Sequence, residues 1–364
     1  MPVRLKLAHL LVLALLAVLL TPSGCSNDKN PIAPPFTPSH VWSALGSGTS
    51  NAVYSLTEHS GQLIVGGGFT RAGGVIVHYV GVWDGSSWSA LGWGMNDDVR
   101  ALAEYGGQLI AGGYFRIAGT STVYGIAGWD GSTWSGLGSG MNDIVLAVAE
   151  YNGKLFASGF FDTAGGVGAK SIAAWDGSTW SGVGSGIDGF VEALTVYNGK
   201  LIAAGHFSSA GGVSAAGIAA WDGSTWSALG SGIGDFVEAL TVYDGKLIAA
   251  GAFNSAGGVP AVSIAAWDGS SWSALGSGIS GGGREVRALT VYNGRLIAGG
   301  YFSSAGGVPA ANIAAWNGSA WAQLGTGTSG SVWALTVHNG RLIVGGSFTS
   351  AGGVPAANIA AWLD

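Results

Sequence analysis

The chain has 364 residues, 67 of them Gly, with 48% apolar residues, 9% charged residues and a net charge of −6. An acidic balance with no Lys/Arg stripe argues against a nucleic-acid groove, which needs clustered cations. Sixteen Trp set among so much Gly argue against a disordered chain and for tight turns between buried strands.

Near the start stand Arg4 and Lys6, then the unbroken apolar run 10–20, then small residues. That run is too short to span a bilayer, so residues 1–24 are expected to be a cleaved signal peptide. The sole cysteine, Cys25, follows Ser23 and Gly24 and has no second cysteine to pair with inside the chain. Its setting resembles the lipobox of bacterial lipoproteins, in which this cysteine becomes the lipidated first residue. Pro22 departs from the Leu usual there, and Ser26 resembles an outer-membrane sorting pattern. Residues 25–40 are polar and carry Pro31, Pro34, Pro35 and Pro38, as an extended tether would. The expected placement is therefore outside the cytoplasm, lipid-anchored at the outer membrane or cell surface.

From Val41 onward one unit recurs. Its anchor, Trp-Asp-Gly-Ser-Xaa-Trp-Ser, begins at Trp83, Trp129, Trp175, Trp221 and Trp267, with a degenerate copy from Trp316 to Ala322. The second Trp falls at 42, 88, 134, 180, 226 and 272, a period of 46 residues; Trp321 comes three residues late, after extra residues in 280–285. Within one copy, 237–243 reads as strand a, Asp244-Gly245 as a hairpin turn and 246–250 as strand b. A longer loop at 255–260 leads to strand c at 264–267, and Asp268-Gly269 turns into strand d at 272–275. Asn-Gly and Asp-Gly suit type I′ turns, which need positive φ at both central residues. On that reading Asp84, Asp130, Asp176, Asp222 and Asp268 are turn formers, not catalytic or metal groups.

Four short antiparallel strands at this period form the blade of a β-propeller; a stacked solenoid would need polar caps. The array begins with a lone strand d at 41–45 and ends with strands a, b and c in 332–362. The expected fold is all-β: a seven-bladed β-propeller of four-stranded antiparallel blades over residues 41–364. Its ring would be closed by the N-terminal strand d joining the C-terminal strands a–c, which covers two open sheet edges. Fourteen Trp recur at two positions per blade, and this periodicity assigns them to packing between blades.

The stretch Asn293-Gly294-Arg295-Leu296-Ile297-Ala298-Gly299-Gly300, with Ala314-Ala315-Trp316 beyond it, resembles the kelch repeat. The resemblance implies a propeller that binds proteins or sugars. A few such propellers, of the galactose-oxidase type, are copper enzymes with a Tyr–Cys cross-link. That chemistry does not carry over, because Cys25 lies outside the repeats. The Trp-Asp pair is similar to WD repeats but lacks their upstream Gly-His, and the sialidase Asp-box spacing fails because Gly follows Asp directly.

Positions shared by all copies build the fold, so positions that differ are free for function. The a–b and c–d turns are uniform, whereas the d–a and b–c loops on the opposite face vary, and rigid scaffolds commonly carry binding residues on such loops. The second residue of strand a runs Tyr54, Arg100, Leu146, Glu192, Glu238, Arg287, Trp333. The last residue of strand b runs Gly68, Tyr114, Phe160, His206, Ala252, Tyr301, Ser347. The d–a loops add Asp97, Asp98, Asp143, Asp188, Asp235, Arg284 and Glu285. Trp93 and Trp333 fall outside the repeated Trp positions. Trp333 and Tyr54 are expected to be close, with Trp93 in the next loop and an acidic sector across blades three to five.

The candidate ligand-binding residues are Trp93, Trp333, Tyr54, Arg100, Glu192, Glu238, Arg287 and His206, for a protein or glycan ligand held by a monomer. No cofactor, metal or nucleic-acid partner is expected, and the membrane is met only through the lipid at Cys25. A hard cation at Asp188, Glu192, Asp235 and Glu238 is a minor reading. So is a carbohydrate hydrolase or lyase using Glu192 and Glu238, since nothing in the sequence separates their acidities. His59 and His338 replace Tyr of other copies and are read as packing substitutes.

Overall fold

The computed structural model describes residues 41–363. The expected signal peptide at 1–24, Cys25 and the expected tether lie outside the described residues. Within them every regular element is a strand, and six four-stranded sheets and one five-stranded sheet follow one another.

The fourth sheet illustrates why these residues form these strands. Strand a is Ile187–Tyr197, b is Lys200–Ala210, c is Ile218–Trp221 and d is Trp226–Ala228. Alternate residues of strands b and c face opposite sides, and both sides are buried, so the strands read as unbroken apolar runs. Ile202, Ala204, Ile218 and Ala220 pack toward the fifth sheet. Leu201, Ala203 and Ala219 pack toward the third. The core is thus a series of layers between sheets, as in a β-propeller. Strands a of successive sheets lie side by side, and Ser331–His338 of the last sheet lies against Val53–His59 of the first.

In all seven sheets the a–b turn is a two-residue type I′ turn. Asn198 and Gly199, for example, have φ of 47° and 70°. The c–d connection differs from the expected Asp-Gly turn. Trp83 pairs with Trp88, so four residues form the loop and only Gly85, at φ 101°, is left-handed. Asp84 shapes it through its side chain: Oδ1 accepts the backbone N–H groups of Ser86 and Ser87 at 2.8 and 2.7 Å. Those bonds hold the Asp84 carboxyl well below the ordinary range, and Asp130, Asp176, Asp222 and Asp268 repeat the pattern. These five carboxylates are turn formers, by capping rather than by positive φ.

The Trp pairs of strands c and d meet at ring-centroid distances of 5.3–5.4 Å in six sheets. In those six the d-strand indole N–H donates to a backbone carbonyl of the preceding repeat, as Trp226 does to Val183 at 3.2 Å. The seventh sheet combines Val41–Ala44 with Ile359–Leu363, in the register Trp42 to Trp362. Trp42 is buried there, but its indole N–H has no partner among the described residues.

His59 and His338 do more than fill space. Where other copies have a Tyr that donates to a Gly carbonyl of the next sheet, as Tyr151 does to Gly199, these rings meet carboxylates. His59 Nδ1 lies 2.7 Å from Glu104, and His338 Nδ1 lies 3.0 Å from Glu58.

Candidate functional site

One irregularity, repeated in every sheet, builds the site. Strands a and b pair in regular register until a β-bulge near the start of strand a. The extra residue is Tyr54, Arg100, Leu146, Glu192, Glu238, Arg287 or Trp333. A bulge re-aims a side chain that regular pleating would send into the sheet. The bulge also pushes a carbonyl against strand b, so strand b carries Gly opposite it. A Cβ on Gly205 would strike the Phe190 carbonyl, and Gly67, Gly113, Gly159, Gly251, Gly300 and Gly346 face the same obstruction. The Gly is required by close approach of backbone to backbone, not by φ.

All seven bulge residues, joined by Tyr114 and Phe160, line one cavity of about 240 Å³. The sequence-derived residues Tyr54, Arg100, Glu192, Glu238, Arg287 and Trp333 therefore come together. Tyr54 and Trp333 meet edge to face at 5.7 Å. Arg100 lies 3.9 Å above the Tyr54 ring and 5.0 Å from Tyr114, and Arg287 lies 4.3 Å above Trp333. Arg100 donates to Asp98 at 3.2 Å. Arg287 donates to Glu285 at 3.0 and 2.7 Å, and its Nη1 lies 3.8 Å from Glu238 Oε1.

Three buried polar atoms of these lining residues have no partner among the described residues: Arg100 Nε, Trp333 Nε1 and Glu238 Oε2. The Glu238 side chain is only 9% exposed. Burial raises its carboxyl to about 7, with Arg287 opposing and Glu192 and Glu285 adding to the rise. Glu192 is raised by the same dominant cause, burial. The environment therefore does separate these two carboxyls from ordinary ones, which the sequence did not disclose. Burial also raises the Tyr54 hydroxyl.

The remaining expectations land elsewhere. Trp93 is 74% exposed on its loop and takes no part in lining the cavity. His206 lies outside the cavity lining, stacked on Phe236 at 4.4 Å and 16°. The acidic sector is not a separate side of the face. Phe160, Phe190, His206 and Phe236 form a continuous aromatic chain over the same sheets, with successive centroids 4.6, 5.5 and 4.4 Å apart. The acids Glu192 and Glu238 lie deeper, because Phe190 and Phe236 sit two residues further out along strand a. Phe190 and Phe236 escaped the sequence reading. Their position runs Ala52, Asp98, Ile144, Phe190, Phe236, Glu285, Ser331, and this variation among copies was the available signal.

Asp188 and Asp235 do not join the carboxylates of the cavity. Asp188 accepts the N–H groups of Ser208 and Ser209, and Asp235 accepts that of Phe236, so both stabilise their own loops. Among the described residues no group of three or more His, Cys, Asp or Glu could hold a metal ion.

Comparison with known proteins agrees with the architecture. Residues 135–295, less than half of the chain, match the profile of the Rax2 C-terminal beta propeller domain. Residues 339–360 match a beta-propeller domain of unknown function, DUF5122. The chain is a β-propeller. The crystal structure of the WD40 beta propeller domain of Doa1 superposes with a TM-score of 0.57 at 14% identity, over 90% of this chain and 98% of that one. The computationally designed Ika8 protein gives a TM-score of 0.53 at 14% identity, over 87% of this propeller and 98% of that chain. No curated protein sequence matches it.

Proposed function

We propose that this chain is a non-catalytic binding propeller: a seven-bladed ring whose ligand, a protein segment or a glycan, enters the cavity lined by the bulge residues. The ring is closed by strand d at 41–44 joining strands a–c of the last blade, in kelch-like fashion; the antiparallel register of Trp42 with Trp362 supports this. Residues 1–24 act as a signal peptide and Cys25 carries a lipid, so the ring is displayed on a tether outside the cytoplasm. The support there is the apolar run before Cys25 and the Pro-rich segment after it.

One observation carries the binding reading. Seven side chains of five kinds converge on one cavity, while the scaffold around them repeats. Convergent polar groups and aromatic walls in a concavity are the usual makings of a ligand site. Glycan and peptide arrays probed with the full chain, Trp333→Ala and Arg100→Ala test it. Loss of the parent's retained ligands in both variants is expected, and retention unchanged in both would overturn the reading.

The raised carboxyls favour a second reading, a hydrolase or lyase acting on carbohydrate, in which Glu238 is the proton donor. Turnover of a mixed glycan panel that disappears in Glu238→Gln would establish it. Absence of turnover at pH 5–8 would exclude it for that panel.

A further inference from the structure

The cavity has an imbalance of charge that its own residues do not resolve. Asp98 answers Arg100 one to one. On the other wall a single guanidinium, Arg287, faces three carboxylates: it bonds Glu285 closely, stands 3.8 Å from Glu238, and leaves Glu192 without an ion pair among the described residues. Glu238 Oε2, within a side chain that is nine-tenths buried and lines the cavity, accepts no hydrogen bond. A buried acceptor without a donor is costly, and a buried carboxylate without a counter-charge more so.

We propose, resting on the reading of this cavity as a binding site, that its acidic wall holds an organic cation through Glu238 and Glu192. The head group is an alkylammonium or guanidinium, carried by a free amine or by a Lys or Arg side chain. Such a head donates to Glu238 Oε2 and supplies the missing positive charge. The walls suit it as well: Tyr54 and Trp333 already carry guanidinium groups on their faces, which shows that these rings accept planar cations. Phe160 adds a further ring to the lining. A neutral glycan hydroxyl would satisfy the acceptor and leave the charge unanswered, and an anion would worsen it. A hard divalent ion prefers six to eight oxygen ligands, and the described residues offer no cluster of three acids for it.

Binding and protonation compete at Glu238. The charged groups acting on it are Glu192 on the fourth sheet and Glu285 and Arg287 on the sixth, while His206 acts on Glu192. A cation needs the ionised carboxylate, whereas below about pH 7 the proton occupies it. For one competing proton the apparent affinity falls by about tenfold from pH 8 to pH 6.

Isothermal titration of the full chain tests this with putrescine, N-acetyl-lysine methylamide and N-acetyl-arginine methylamide. N-acetyl-norleucine methylamide, methyl glucoside and calcium chloride serve as neutral and hard-ion probes. The expected result is one site for a cationic probe, with affinity about tenfold weaker at pH 6 than at pH 8. Binding disappears in Glu238→Gln and in Glu192→Gln and persists in Glu150→Gln, near the a–b turn of the third sheet. Putrescine against the amino-acid derivatives distinguishes a free amine from a side chain. Equal affinity for the norleucine derivative, an affinity independent of pH, displacement by calcium, or no heat from any cation at millimolar concentration overturns the proposal. If Glu238→Gln does not fold, Glu192→Gln and the pH profile of the parent decide it. A neutral or anionic array ligand lost in Trp333→Ala would refute the cation and leave the binding cavity standing. If no retained ligand depends on any bulge residue, both fall.

Discussion

Replacing Glu238 with Gln should stabilise the propeller increasingly as pH rises. The carboxyl ionises near 4.5 when free and at about 7 in the folded chain. Below the lower value it is protonated in both states and contributes nothing. Between the two, the unfolded chain ionises first, so stability falls as pH increases, and above the upper value the full penalty is present. Each pH unit in that interval is worth about 1.4 kcal/mol, which gives a penalty of about 3 kcal/mol. With the side chain only 9% exposed, solvent screening dilutes this little. The amide of the Glu238→Gln variant cannot ionise and so escapes the penalty. Its melting temperature minus that of the parent should therefore grow by about 5 °C between pH 4.5 and pH 8, at roughly 2 °C per kcal/mol for a large chain. Differential scanning fluorimetry across that range, at fixed ionic strength, reads the difference directly. An offset that is flat with pH, or that shrinks as pH rises, would refute the argument that Glu238 is forced to ionise in a dry site.

Other perturbations follow from the same geometry. Deleting residues 41–46 removes buried Trp42 and uncovers the edge at Ile359–Leu363; a lower melting temperature and concentration-dependent aggregation are expected, with about 3–5 kcal/mol lost for the Trp alone. A truncation that melts like the parent would show that the last sheet does not need its first strand. Gly205→Ala, opposite the bulge at Glu192, presses a methyl on the Phe190 carbonyl and should cost about 1–3 kcal/mol, whereas Gly199→Ala, at positive φ with nothing within 4 Å, strains only its turn; chemical denaturation compares them. Asp222→Ala should lower the melting temperature while Asp222→Asn barely changes it, because Asn317 already caps the equivalent turn. Arg287→Gln should be most destabilising above pH 7 and recover toward pH 5 as Glu238, now without its guanidinium, takes up a proton.

The repeat made much of this legible in advance. Asn198-Gly199 and its equivalents predicted their type I′ turns correctly, since the dipeptide alone sets that backbone. Asp222-Gly223 looked the same and behaved differently: the following Ser224 and Thr225 offer N–H and O–H groups that the carboxylate gathers, and the loop lengthens to four residues. Comparing copies singled out Glu192, Glu238 and Arg287, but not why they converge, because a bulge adds one residue to a strand whose apolar pattern reads on regardless. The acidity of Glu238 was out of reach, as it depends on which neighbours meet across three sheets. Phe190 was missed because it precedes the expected start of strand a, where the pattern reads as loop, although the ladder extends that far.

The pairing of each bulge with its Gly separates two tasks that most binding sites entangle. The Gly and the backbone fold set where a side chain points, and the bulge residue alone decides what it says. Seven such positions, one per sheet, amount to seven letters around a single hollow, read together where neighbours such as Tyr54 and Trp333 touch. A library varied only at those codons would explore ligand chemistry on an unchanged frame, and duplication of one repeat would copy the frame while freeing its letter to drift.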